Sequence, residues 1–353
     1  MTTRRQLATT STQTTPTWIT GLTMLLGFVV INAGAALLGL WESYWWLLIA
    51  SQFVLLTVFV DVFQKRLNIQ QRQRFERVLA WGFPVLLLLV AEVIVRVGIL
   101  SATWFPPPSR VAVAFWDLTV TYDRFNETSL LGRPWLVVSA FNGGGLEAVG
   151  SLFRESHVLA TLGRVFIGFA IGMLPGLIIG IVMGLNKTVR TMLDGTLSAL
   201  YVLPKIAIFP LLMLMFPDPF GEGPKVAVVA ISAFFLVAIS TAAGVRDIDG
   251  IYLEAAHNFG ARGLKLFWHV IIPAALPIIF AGLRLALGTA LIVIVAVEFI
   301  RAQVGVGFVI YYHWQILAVD KMYAGLITVM ALGALLTYGL QWLEAKVMPW
   351  QHK

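Results

Sequence analysis

The 353-residue chain contains no cysteine, and only 12% of its residues carry charge. Without thiols there is no disulfide framework, no thiolate nucleophile and no sulfur-ligated metal. The five histidines, at 157, 257, 269, 313 and 352, include no His-Glu-x-x-His pair or other ligand spacing, so no metal centre is expected. No Gly-x-x-x-x-Gly-Lys-Ser/Thr loop occurs; "GLNKT" at 184–188 ends in Lys-Thr but lacks the glycine before the lysine. No Gly-x-Ser-x-Gly elbow is present either, which removes that route to covalent hydrolase chemistry. The chain is therefore not expected to be an enzyme, and nothing in it calls for a cofactor.

What the chain has instead is apolar length. Hydrophobic residues make up 59% of it and the mean hydropathy is +0.85, outside the range of soluble domains. A helix needs about 20 mostly apolar residues to cross a bilayer. Eight stretches qualify: 17–40, 45–63, 78–100, 163–185, 193–216, 226–244, 276–299 and 322–342. The net charge of +7 would suit a nucleic-acid partner, but the placement of the basic residues gives it a simpler cause. With the N-terminus inside, the inner segments hold 14 Lys and Arg, from Arg4 and Arg5 through the run 65–77 to Lys353. The outer segment 101–156 has only Arg110, Arg124, Arg133 and Arg154 against five acids. Both termini are thus expected in the cytoplasm, with the lipid bilayer and no nucleic acid as the surroundings. The first run follows Arg4 and Arg5 and ends near "AGA" at 33–35, like a signal peptide, but its length and the span close behind it favour a retained anchor.

The first two spans form a tight hairpin around "WESY", with Trp41, Trp45 and Trp46 placed as an interfacial belt, and a basic cytoplasmic run "QKRLNIQQRQRFER" at 64–77 follows. Residues 1–77 therefore look appended to a second domain, 78–353. In "WFPPPSR" three consecutive prolines are expected to end a helix and extend the chain out of the membrane. The outer loop closes with a glycine turn and an amphipathic helix carrying Leu146, Val149 and Phe153 on one face, which packs on the bundle or meets an external protein. Glycines 168, 172, 176, 180 and 184 lay a bare stripe along the fourth span, a seat for another helix in the same or a second subunit. The fifth span is broken by Pro204 and Pro210 with Lys205 between them, which suits either a bent helix lining a path or a kinked packing helix with a snorkelling lysine.

Intramembrane charge is scarce and each instance is a candidate for function. Glu92 and Arg96 are spaced for a structural i,i+4 pair. Arg284 and Glu298 are 14 residues apart on the seventh span, on nearly the same face at different depths, and are placed toward the bundle interior. The inner segment 245–275, "YLEAAHNFG" followed by "RGLKLFWHVIIP", reads as two short helices around Gly260, the second running into Pro273. Ala255 and Ala256 leave a nearly flat face, which suits insertion into a partner's groove; an ordinary connecting loop is the alternative.

The order Glu254, Ala255, Ala256, Gly260, Val270, Ile272, Pro273 resembles the EAA loop of binding-protein-dependent ABC importer permeases of the type I (MetI-like) fold. The stretches "LPKIAIFPLLMLMF" and "ALPIIFAGLRLALGTALIVIVAVEFIRAQVGVGF" look like the nitrate, sulfonate and taurine group of that family. The resemblance covers roughly residues 78–345; the hairpin at 17–63 and the loop at 101–156 lie outside the pattern. It implies an all-α membrane protein of about eight transmembrane helices, a six-helix importer core plus an N-terminal two-helix hairpin. It further implies a second permease copy or sister permease, two copies of a cytoplasmic ABC ATPase, an extracytoplasmic substrate-binding protein, and a place in a bacterial or archaeal plasma (inner) membrane. Glu254, Ala255, Ala256, Gly260 and Pro273 would carry coupling to the ATPase, and Pro204, Lys205, Pro210, Arg284 and Glu298 would line the translocation path. Nitrate, sulfonates, taurine, bicarbonate and vitamin precursors such as pyrimidines or flavins remain open as solutes. An ion-coupled secondary transporter, which often shows inverted repeats, is the main alternative; no repeat is visible.

Overall fold

The computed structural model describes residues 40–65, 67–123 and 128–352, with a few isolated positions between 26 and 34. The first expected span, 17–40, lies outside the described residues. The described chain is helical throughout, without a β-strand; two isolated bridges, Asp123 with Thr128 and Ser129 with Ser156, tie the segment before the central helices.

The chain divides into two compact units, residues 1–90 and 91–353. In the first, α1 (Leu40–Gln64) turns back into α2 (Ile69–Arg96), whose residues from Ala91 on belong to the second. Phe63 stacks on Phe59 within α1 and meets Phe75 across the turn in a tilted pair with centroids 5.1 Å apart, the Gln64 amide donates to Glu76, and Lys65 pairs with Asp61 at 2.6 Å. Only part of the basic run lies between the helices: residues 69–77 form the opening turns of α2, where Arg72 and Glu76 pair at i,i+4.

In the second unit the helices are α3 (Pro108–Val120), α4 (Val137–Arg154), α5 (His157–Leu185), α6 (Lys187–Val202), α7 (Lys205–Met215), α8 (Glu222–Arg246), α9 (Gly250–Asn258), α10 (Ile272–Arg301), α11 (Val306–Gln315) and α12 (Val319–Val347). Among the described residues six helices are long and apolar enough to cross a membrane, seven if the bent pair α6–α7 is one span. The expected fifth span turns by 97° between Val202 and Lys205, at Leu203 and Pro204. Pro210 sits inside α7 without ending it. The three prolines do not end a helix, because α2 already stops at Arg96; Pro108 opens α3, where a fixed φ and a missing N–H cost nothing. The outer helix is also longer than expected: Pro134–Arg154 has the length and apolarity of a span, and Gly145 breaks it at φ 65°. It turns Leu152 inward, while Leu146 and Phe153 are exposed.

The core follows from the glycine stripe. α8 lies between α5 and α10, and every stripe glycine faces α8. A Cβ on Gly168 would stand 2.8 Å from the Val226 carbonyl oxygen, and one on Gly180 would stand 2.6 Å from that of Ala238. Only hydrogen fits there, so the two backbones approach to a distance that any side chain would prevent. The stripe thus serves packing within the chain. Val165, Val228, Val229, Ala233 and Ala238 fill the seam with 0% exposure.

Candidate functional site

Two sites emerge at opposite ends of the central helices. One is a buried polar network where α5, α8, α10 and α11 begin or end. Glu298, near the C-terminal end of α10, is 1% exposed. Its carboxylate accepts from Arg164 Nη1 at 2.7 Å, from Thr161 Oγ1 at 2.9 Å, and from the Gly307 backbone N–H at 2.8 Å. Thr161 Oγ1 in turn accepts from the Val306 N–H at 2.9 Å. The first N–H groups of α11 have no partner within their helix, so a carboxylate and a hydroxyl from two other spans cap it.

Two glycines make that seat possible. Gly305 has φ 143°, and a Cβ there would stand 2.5 Å from either oxygen of Glu298; on Gly307 it would stand 2.7 Å from Glu298 Cβ. The Gly305 N–H donates to His157 Nδ1 at 3.0 Å, which leaves the proton of the neutral ring on Nε2.

Arg164 extends the network outward. Its Nε and Nη2 grip Glu222 at 2.5 and 2.9 Å, and Nη1 also reaches the Val304 carbonyl oxygen at 2.6 Å. Lys225 Nζ joins Glu222 at 3.0 Å. The Arg164 and Lys225 side chains are 7% and 6% exposed, whereas that of Glu222 is 59% exposed. Glu222 and Lys225 escaped the sequence reading because the span 226–244 was drawn at the first uninterrupted apolar residue; Arg164, at the edge of the span 163–185, was not counted among the intramembrane charges. The signal was present: Arg164 stands in "LATLGRVFIGF", with apolar residues on both sides.

The residues assigned to a path are not brought together. Arg284 leaves α10 toward α12 and pairs with Glu344, away from Glu298. Lys205 is half-buried at the 97° bend, donates to the Tyr201 carbonyl and lies 4.3 Å from the centre of the Tyr201 ring. Pro204 and Pro210 are exposed. Glu92 and Arg96 pair at 2.6 Å, and Glu92 also caps the start of α3 by accepting from the Ser109 N–H at 2.9 Å. At the far end of α3, the Lys321 side chain holds the Asp117 carboxyl below its ordinary value of 3.8, at 2.8 Å.

The second site is the segment between α8 and α10. Asp249 caps α9 by accepting from the Ile251 N–H at 3.0 Å. At its other end Gly260 adopts φ 78°, the Gly260 N–H donates to the His257 carbonyl and the Ala261 N–H to that of Ala256, both at 2.9 Å. This pair of bonds is the Schellman stop, and the left-handed residue in it suits glycine. Ala256 packs inward and Ala255 outward beside exposed Glu254, so the two alanines do not share one flat face. Phe259 is 92% exposed and Leu264 77%. Pro273 does not halt the second short helix: the chain is helical from Leu264 to Ile300, with a π turn at Phe267–Ile271 just before the proline. A widened turn takes up the missing N–H without breaking the rod.

Residues 176–349 match the family described as binding-protein-dependent transport system inner membrane component. The putative aliphatic sulfonates transport permease protein SsuC of Bacillus subtilis is 31% identical over 80% of this chain and 90% of that protein. The chain belongs to this family of ABC importer permeases. The taurine transport system permease protein TauC of Escherichia coli is 35% identical over 55% of this permease and 70% of its own length. The bicarbonate transport system permease protein CmpB of Synechococcus elongatus is 32% identical, covering 61% and 76%. The permease is thus a multi-pass protein of the plasma membrane, and members of its family work with a separate ATPase and a substrate-binding protein.

Proposed function

We propose that this permease forms the translocation path for a small anion or polar solute of the nitrate, sulfonate or taurine type, and that a partner ATPase drives it through the 245–275 segment. The observation that carries the reading is the exposed apolar knob of Phe259 and Leu264, mounted on a capped helix between α8 and α10. A monomer in water has no reason to present a 92% exposed phenylalanine on a rigid turn, whereas a partner groove would bury it. The helix leaving the knob is unbroken to Ile300, so a push on the knob reaches the network at Glu298 through one rod.

The charge bias puts the knob and both termini in the cytoplasm. Two permease subunits, as a homodimer or with a sister chain, would then carry two knobs into two ATPases. Approach of the ATPases on ATP rocks the subunits from inward-open to outward-open, and the external binding protein delivers the solute. Glu254, Ala255, Ala256, Gly260 and Pro273 shape the knob. Pro204 and Lys205 at the bend and Pro210 within α7 line the path, while Arg284 and Glu298 hold α10 against its neighbours. Residues 1–77 are an addition to the transport domain 78–353. The solute type is the one named by the relatives for taurine and sulfonates; CmpB keeps bicarbonate as the alternative.

Gly260→Val tests the coupling. A Cβ at Gly260 meets nothing within 4 Å, so the substitution acts only through its φ of 78°, which a β-branched residue resists by about 1–2 kcal/mol. The variant is expected to reach the membrane and to retain the ATPase's basal hydrolysis in reconstituted vesicles, with ATP-driven uptake reduced at least tenfold. Wild-type uptake by Gly260→Val would remove the segment from the coupling role.

A further inference from the structure

Beside the buried network lies an open cavity of about 970 Å³. We infer that this cavity is a binding site for an oxyanion head group, and that Glu222 is its exchangeable internal occupant. The argument starts from an asymmetry. Arg164 and Lys225 are buried, and the Glu222 carboxylate that they hold is mostly exposed. Arg164 has a second, permanent partner in Glu298, whose side chain is 0% exposed. Lys225 has no such partner: among the described residues, Glu222 is the only carboxylate that it reaches. A buried ammonium cannot be left without an anion, so something must always occupy the place between Arg164 and Lys225. What occupies it need not be Glu222.

Glu222 sits on the first turn of α8 with its side chain 59% exposed, so its carboxylate gains hydration when it swings out, and an anion that takes over its three bonds can displace it. An incoming oxyanion would meet the same donors: the Arg164 Nε and Nη2 fork, which suits two oxygens of a planar or tetrahedral anion, and the Lys225 ammonium as a point charge. Arg154 adds a third cation to the wall, so with Glu222 displaced the lining is positive. Phe299, Phe308 and Tyr311 offer an apolar surface to the organic part of the molecule, and Gln303 and Gln315 offer amides to its remaining polar atoms. An uncharged solute would leave the Lys225 ammonium without an anion and the Arg164 fork without its second carboxylate. The importer reading enters only in assigning the anion as transported cargo; the binding itself stands on the geometry.

The test uses the full chain in lipid nanodiscs and titrates methanesulfonate calorimetrically, with dimethyl sulfone as the uncharged control of similar shape. Methanesulfonate is expected to bind, on the order of tenfold more tightly to Glu222→Gln, in which the internal competitor is gone, and not measurably to Lys225→Met. Dimethyl sulfone is expected to bind to none of them. Carbodiimide labelling of wild-type Glu222, read by peptide mass spectrometry, should rise when methanesulfonate is added, because the carboxylate moves into solvent; this holds the inference to account even if the variants misfold. Unchanged labelling, equal binding by the sulfone, or equal methanesulfonate affinity in wild type, Glu222→Gln and Lys225→Met would each overturn the site. ATP-driven uptake by the reconstituted importer without any methanesulfonate binding would sink this inference alone. Methanesulfonate binding without ATP-driven uptake would support the site and count against the importer reading.

Discussion

Glu298 is held by three donors from two other helices, α5 and α11, and this separates its role from that of Arg284 on the same span. Their spacing placed both on one side of α10, which is correct as far as a helical face can tell. A face says which side is turned from lipid, but not which neighbour stands there at each depth. Arg284 meets Glu344 of α12, and Glu298 meets Arg164 and the start of α11. Because Glu298 is buried, removing only its cation leaves an uncompensated charge, at a cost of about 3–5 kcal/mol. Arg164→Met is therefore expected to lower unfolding stability in detergent by that order. The double variant Arg164→Met with Glu298→Met should lose less than the two single losses added together, since the second change removes the charge left stranded by the first. Strict additivity in that cycle would show that the two side chains are not a coupled pair.

At the scale of the element, the stripe on α5 was visible from its four-residue spacing alone, whereas its partner was not. Spacing says that a helix can come close; it does not say whose helix. α8 supplies the answer with Val226, Ala230, Phe234, Ala238 and their neighbours, themselves small or ridged where the glycines are bare. Span boundaries were the weaker part of the reading: α5 begins at His157 and α8 at Glu222, each earlier than the apolar run alone suggests. Helices outrun apolar runs wherever charged residues can pair inside protein, as Lys225 does with Glu222 ahead of the run 226–244. The stripe also permits a controlled experiment on one helix. A Cβ on Gly172 would clash with the Ala230 carbonyl, while one on Gly163 meets nothing within 4 Å. Gly172→Ala is expected to destabilise by about 1–3 kcal/mol through forced separation of α5 and α8. Gly163→Ala should be neutral or stabilising by about 0.5–1 kcal/mol, the ordinary gain from replacing glycine in a helix. Equal effects at both positions would mean that the seam is looser than the geometry says.

For the whole molecule, the helical membrane class, the six described spans that carry expected runs (α6–α7 taken as one), and the capped segment at Gly260 were legible, because each depends on local composition or on one residue's backbone. The 97° turn at Pro204 was legible only as a break, since its angle depends on what the two halves pack against. The span-like α4 was hidden by its glycines. The distribution of the core carries one more consequence. Every buried apolar side chain among the described residues lies between Val95 and Met348, and the family match falls within that range up to its last residue, 349. Residues 1–64 hold two of the eight apolar runs, an even number, so their removal preserves the sidedness of everything downstream, and the basic residues from Lys65 to Arg77 remain to anchor the new N-terminus inside. A chain beginning at Met followed by residue 65 is therefore expected to insert, to keep its thermal midpoint within about 2–4 °C, the shift that about 1 kcal/mol produces in a domain of this order of size, and to support ATP-driven uptake within about twofold of the full chain. The decisive readout is uptake per inserted molecule in vesicles, with insertion scored by protease access to the 245–275 segment. Loss of uptake with correct insertion would make the N-terminal hairpin part of the transport machinery.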